Sequence, residues 1–95
     1  MDTKNIADYI PYGAKYAVSQ ETLAQILNTD KRQVRLYIEQ ARRQGVPICS
    51  GNEGYFLPLT PAEALPYIIA QKRRILTAMT VVRAVENYLR QQAER

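Results

Sequence analysis

The chain has no histidine, no tryptophan and a single cysteine, Cys49. With one thiol it closes no internal disulfide, and without histidine it lacks both the usual Cys/His zinc set and a nucleophile paired with a His base. Its 9 Asp and Glu residues are scattered, with no spacing that suggests a metal cluster. No enzyme, metal site, cofactor or small-molecule ligand is therefore expected. No apolar run approaches the roughly 20 residues of a membrane span. Met1-Asp2-Thr3-Lys4 opens no signal-peptide pattern. The expectation is a cytoplasmic chain in a reducing compartment. Only 4 Gly and 5 Pro, against 46% hydrophobic and 23% charged residues, mark a folded chain rather than a disordered or fibrous one. At 95 residues and a net charge of +4, this is one small domain with room for an appendage.

Ile6, Tyr9 and Ile10 sit at helical spacing, and Pro11 with Gly13 closes that segment, which predicts a short first helix over 5–10. Tyr16-Ala17-Val18 reads as a very short strand. Ser19 follows as an N-cap, and Leu23, Ala24, Ile26 and Leu27 form the expected buried stripe of a second helix that stops at Asn28. Asp30 with Gln33 fits a capping box, so a third helix starts at Lys31 and runs to Gln44, with Gly45 beyond it. Val34, Ile38 and Ala41 give it one narrow buried face. The run from Val46 to Ser50 and Tyr55-Phe56-Leu57 flank Gly51-Asn52-Glu53-Gly54, a hairpin with Ile48, Tyr55 and Leu57 on one side and Cys49 and Phe56 on the other. Thr60-Pro61-Ala62-Glu63 predicts a second capping box, opening a helix that continues almost to the C-terminus despite Pro66.

The expected fold is therefore mainly α with a small β-hairpin: residues 1–58 as a winged helix-turn-helix domain, and 59–95 as a long C-terminal helix. Two short helices, a two-residue link and a hairpin occur in the order in which the second helix of the pair is offered to a DNA groove. That helix carries Lys31, Arg32, Gln33, Arg35, Leu36, Arg42 and Arg43 at positions expected to be exposed, with Glu39 as its one acid. Arginine and glutamine can each bond a base edge in two places, leucine can meet a thymine methyl, and a helix start offers free amides to phosphate. Five cations on the element that docking requires weigh more than the net charge.

Ser19-Gln20-Glu21-Thr22-Leu23-Ala24-Gln25-Ile26-Leu27, then Val34 and Ile38, then Gly45-Val46-Pro47-Ile48 with Gly54-Tyr55-Phe56-Leu57, resembles the winged helix-turn-helix of biotin operon repressors and related bacterial and phage regulators. The likeness spans roughly residues 15–58. It implies that Arg32, Gln33, Arg35 and Leu36 lie where the family's recognition helix meets bases, and that Gly51, Asn52, Glu53 and Gly54 form the wing. Asn52 and Glu53 stand where a DNA-touching wing would carry lysine or arginine, which leaves phosphate contact there to backbone amides. No ligand-binding domain is expected to follow, so the biotin chemistry does not carry over.

In the last helix, positions 65, 68, 72, 75, 79, 82, 86 and 89 form a near-heptad stripe with polar interruptions at Lys72 and Glu86. Few apolar residues remain to cover it, which predicts a homodimer through Ile68, Ile75, Met79, Val82 and Leu89. Lys72-Arg73-Arg74 fits solvated surface and phosphate contact equally well. Core packing is the expected role of Tyr37, Tyr55 and Phe56. Cys49 reads as a small strand residue whose nearest charge is Glu53. Taken together, these features predict a sequence-specific double-stranded DNA-binding regulator of transcription or of a phage or mobile element. The alternative is a winged-helix adaptor that binds another protein and no DNA.

Overall fold

The computed structural model describes residues 5–94; residues 1–4, read above for a signal pattern, and Arg95 lie outside them. The chain is mainly helical, with a small two-stranded antiparallel hairpin and a long C-terminal helix. Two 3-10 turns, Ile6–Tyr9 and Ala14–Tyr16, precede helix α1 at Gln20–Ile26 and helix α2 at Lys31–Arg43. Strands β1 (Cys49–Gly51) and β2 (Gly54–Phe56) follow, and then helix α3 (Pro61–Ala93).

The helix pair is set by its caps. Ser19 Oγ accepts the Thr22 amide at 3.0 Å and starts α1. At the other end Asn28 takes a left-handed φ of 53°, the Thr29 amide donates to the Ala24 carbonyl at 2.8 Å, and the Asn28 amide to Gln25 at 3.2 Å. This double closure satisfies the last carbonyls of α1 and turns the chain within three residues. Asp30 Oδ1 then accepts the Gln33 amide at 2.8 Å and starts α2. The same closure ends α2: Gly45 has φ 96°, its amide donates to Arg42 at 3.0 Å, and Val46 donates to Ala41 at 3.0 Å. A residue with a Cβ pays strain at that φ, which is why glycine stands there.

The hairpin pairs Cys49 with Phe56, Ser50 with Tyr55 and Gly51 with Gly54. Its outer strand is covered by the N-terminal segment. Val18 and Tyr55 exchange two backbone bonds of 2.9 and 2.8 Å, and Leu57 accepts from Gly13 and donates to Pro11, both at 2.8 Å. The predicted strand Tyr16-Ala17-Val18 is thus only partly extended: Tyr16 ends a 3-10 turn and Val18 alone makes a bridge. The predicted first helix is likewise one 3-10 turn, capped by Asn5, whose side chain accepts the Ala7 amide at 3.2 Å.

Ile6, Ile10, Leu23, Leu27, Val34, Ile38, Ile48 and Leu57 meet in one core between the helix pair, the first turn and the hairpin. Each large aliphatic side chain fully buried there stabilises the fold by about 1.5 to 3 kcal/mol. Ile26 is a correction: expected in the buried stripe of α1, it is 54% exposed. At about 100° per residue it lies well off the face shared by Leu23, Ala24 and Leu27. Cys49 and Phe56 are also buried, on the opposite face of the hairpin from Ile48 and Leu57, and the first turns of α3 pack against β1 there.

Helix α3 has 33 residues, none of them buried. At about 1.5 Å per residue it is roughly 50 Å long, and it accounts for the long axis of a molecule measuring 58 × 33 × 21 Å. Pro66 falls within it without ending it. The predicted capping box at Thr60 does not form, because the Thr60 side chain makes no cap bond. Glu63 instead reaches one residue further back, its Oε1 accepting the Leu59 amide at 2.8 Å. Among the described residues no helix is long and apolar enough to cross a membrane.

Candidate nucleic-acid interface

Helix α2 divides into two faces. Val34, Ile38 and Ala41 are buried, while Lys31, Arg32, Arg35, Leu36, Glu39, Gln40 and Arg43 are exposed. Gln33 is half-buried and its amide is taken by Asp30, so that part of the helix start is closed to an incoming anion. Two of the cations already have partners: Lys31 Nζ is 3.5 Å from Glu21 of α1, and Arg43 is 3.5 Å from Glu39 one turn away. Such exposed pairs contribute little to stability and exchange readily for a phosphate. Arg32 and Arg35 make no ion pair among the described residues. They flank Leu36, an exposed apolar residue at 43% accessibility.

Arg42 departs from expectation. Expected among the exposed cations, it is half-buried and turned into the fold. Its Nε donates to the Ile48 carbonyl at 2.9 Å, and its guanidinium lies 5.9 Å from the centre of the Tyr55 ring and 5.1 Å from that of Tyr67. Nη2 is buried with no hydrogen-bond partner among the described residues, which leaves the aromatic faces as its main company. Arg42 therefore joins α2, the hairpin and α3.

That junction shapes a groove of about 690 Å³ between α2 and α3, in which Tyr67 and Gln71 stand opposite Arg32, Arg35 and Arg42. No local sequence signal marks Tyr67 or Gln71 for this position. Both lie off the stripe of α3, and their contact with α2 depends on the angle at which α3 leaves the hairpin, which spacing does not encode.

At the hairpin tip, Gly51, Asn52 and Glu53 are exposed and Gly54 is half-buried. Gly54 has φ 129°, and a Cβ there would lie 2.2 Å from the Val18 carbonyl oxygen. Its role is close approach to the N-terminal segment. Cys49 is buried beneath the other end of the hairpin. Burial pushes its thiol above the ordinary range, Arg42 pulls it down and Glu63 pushes it up again. Its charged neighbours are thus Arg42 and Glu63 rather than the expected Glu53. Among the described residues no three Cys, Asp or Glu side chains come together in a metal-binding group.

The residues expected to pair two chains are all open to solvent: Ile68, Ile75, Met79, Val82 and Leu89, with Leu65, Ile69, Leu76 and Val85 beside them. The stripe does not fold back over the first turn of the chain. Compared with protein-family models, curated proteins and solved structures, the chain gives no match.

Proposed function

We propose that this protein is a small sequence-specific regulator that binds double-stranded DNA, acting as a winged helix-turn-helix with α2 as its recognition helix and the hairpin as its wing. The observation that carries the reading is the solvent-exposed face of α2 that borders its groove with α3, where Arg32, Arg35 and Leu36 stand exposed and the two arginines have no acidic partner among the described residues. Lys31 and Arg43 flank them as phosphate contacts, while Arg42 supports the helix from behind. Glu53 at the tip leaves the wing to approach DNA through backbone groups. Two chains pair through the apolar stripe of α3, presenting two recognition helices to a two-fold site. The reading places the protein in the cytoplasm and among regulators of transcription or of a phage or mobile element.

Fluorescence anisotropy against a pool of random duplexes tests it. Binding at low salt that weakens steeply as salt rises supports the reading, since neutralised phosphates release counterions. No binding to any duplex at low salt overturns it.

A second reading, a winged-helix adaptor for another protein, is favoured by the acidic hairpin tip and the length of uncovered apolar helix. It requires a chain that is monomeric in sedimentation and indifferent to duplex DNA.

A further inference from the structure

The uncovered stripe of α3 carries two charges at positions that face a partner, and together they specify how that partner lies. Written as heptads, Leu65, Lys72, Met79 and Glu86 occupy the first core position, a, and Ile68, Ile75, Val82 and Leu89 the second, d. Neither Lys72 nor Glu86 makes an ion pair among the described residues, and no acid stands three or four residues from Lys72.

We propose that α3 pairs with α3 of a second copy in antiparallel orientation, with Lys72 of each chain answering Glu86 of the other. This rests on the dimer reading above and adds the direction. In a parallel pair each a residue faces its own copy, which sets Lys72 against Lys72 and Glu86 against Glu86 inside the seam, two like-charge contacts. In an antiparallel pair each a residue lies across from a d residue of the partner. The register that keeps the whole stripe in contact sets Leu65 across from Leu89, Ile68 from Glu86, Lys72 from Val82 and Ile75 from Met79, with the two-fold axis crossing the seam at the height of Thr77. Lys72 and the partner's Glu86 then occupy adjacent layers. Helical side chains lean toward their own N-terminus, so in this register the two lean toward each other. Shifting by one heptad either makes them lean apart or removes Glu86 from the overlap. Leu76 and Ala78 meet their own copies at the axis, so the middle of the seam is free of charge.

The arrangement puts the two hairpin domains at opposite ends of the paired helices. Tyr67 and Gln71, which stand opposite Arg32 and Arg35, are six to ten residues from the axis. The two copies of α2 are then separated along the paired helices by about 18 to 30 Å at 1.5 Å per residue, comparable with the roughly 34 Å of one DNA turn.

The test uses the full chain carrying Cys49→Ala and Gln91→Cys, spin-labelled at residue 91, which lies on the face away from the seam. Sedimentation equilibrium is run on the same sample. A dimer with a label separation of about 42 Å or more, twice the axial distance from residue 77 to 91 with the sideways offset between the helices added, supports the proposal. A dimer with labels only about 20 to 30 Å apart, the roughly 10 Å between parallel helix axes plus the reach of two outward-facing labels, overturns the orientation and leaves the dimer standing. A monomer at all concentrations overturns the dimer itself, and a trimer or tetramer overturns the two-chain seam. In unlabelled protein, Glu86→Lys weakens dimerisation about tenfold and Lys72→Glu combined with Glu86→Lys restores it. A parallel seam would leave the single variant close to the parent.

Discussion

The guanidinium of Arg42 lies 5.1 Å from the centre of the Tyr67 ring, so the last turn of α2 and the second turn of α3 are joined by a cation and an aromatic face. The same side chain bonds the Ile48 carbonyl at the entrance to the hairpin. One residue thereby helps to hold the angle at which the long helix leaves the domain, together with the packing of its first turns against β1. That angle in turn decides how close Tyr67 and Gln71 come to the arginines of α2.

Replacing Arg42 with alanine is expected to cost about 2 kcal/mol, from the lost charge-assisted bond and the two ring contacts. Arg42→Lys keeps the charge but loses the planar fork and the Nε donor, so it should recover only part of the loss. Urea denaturation of the three proteins measures this. An unchanged midpoint in Arg42→Ala would show that the junction holds without it.

Two glycines separate backbone strain from collision. Gly45 has φ 96° with nothing within 4 Å of an added Cβ, so Gly45→Ala is expected to lose about 1 to 2 kcal/mol from strain alone. Gly54 combines φ 129° with a Cβ position 2.2 Å from the Val18 carbonyl oxygen. Gly54→Ala must also break the Val18–Tyr55 bridge, and should lose about 3 kcal/mol or more. Thermal unfolding of the two variants should rank them in that order.

Much of the domain was legible because its signals are local. Ser19, Asp30 and Gly45 act within four residues of themselves, and the three- and four-residue steps of Val34, Ile38 and Ala41 read directly as a buried face. Ile26 misled because an apolar residue next to a stripe looks like part of it until the core's direction is known. Thr60 misled because the acid that should complete its box bonds Leu59 instead. Arg42 was illegible for a different reason. Its partners are Ile48, Tyr55 and Tyr67, and only the packing of three elements turns a cation on a basic helix inward.

The Cys49 thiol is raised chiefly by burial, with Arg42 opposing and Glu63 reinforcing the shift. A raised folded value means that the native state holds its proton where the unfolded chain has begun to lose it. The stabilisation is therefore complete below the unfolded thiol's range and is lost as pH rises through the folded one. Alkylation by iodoacetamide near neutral pH should be many times slower in the folded protein than in urea. Equal rates would mean that the thiol is open to solvent.

The arginines of α2 and the cations of α3 should behave differently toward DNA. Arg32 and Arg35 stand exposed along the groove edge of a helix anchored by the buried Val34, Ile38 and Ala41. A side chain that bonds a base edge in two places discriminates by about 1 to 3 kcal/mol. Arg32→Ala or Arg35→Ala should therefore narrow the gap between a selected site and random duplex. Lys72 and Arg73 lie on α3, Lys72 at the seam and Arg73 one position round from it. Arg73→Ala should at most weaken binding to both duplexes alike and lower the salt dependence, as loss of a phosphate contact does. Competition binding with a selected and a scrambled duplex reads both quantities. Parallel losses on the two duplexes from Arg32→Ala and Arg35→Ala would reduce α2 to a phosphate-binding surface, because a side chain that reads bases cannot be removed without changing the preference among them.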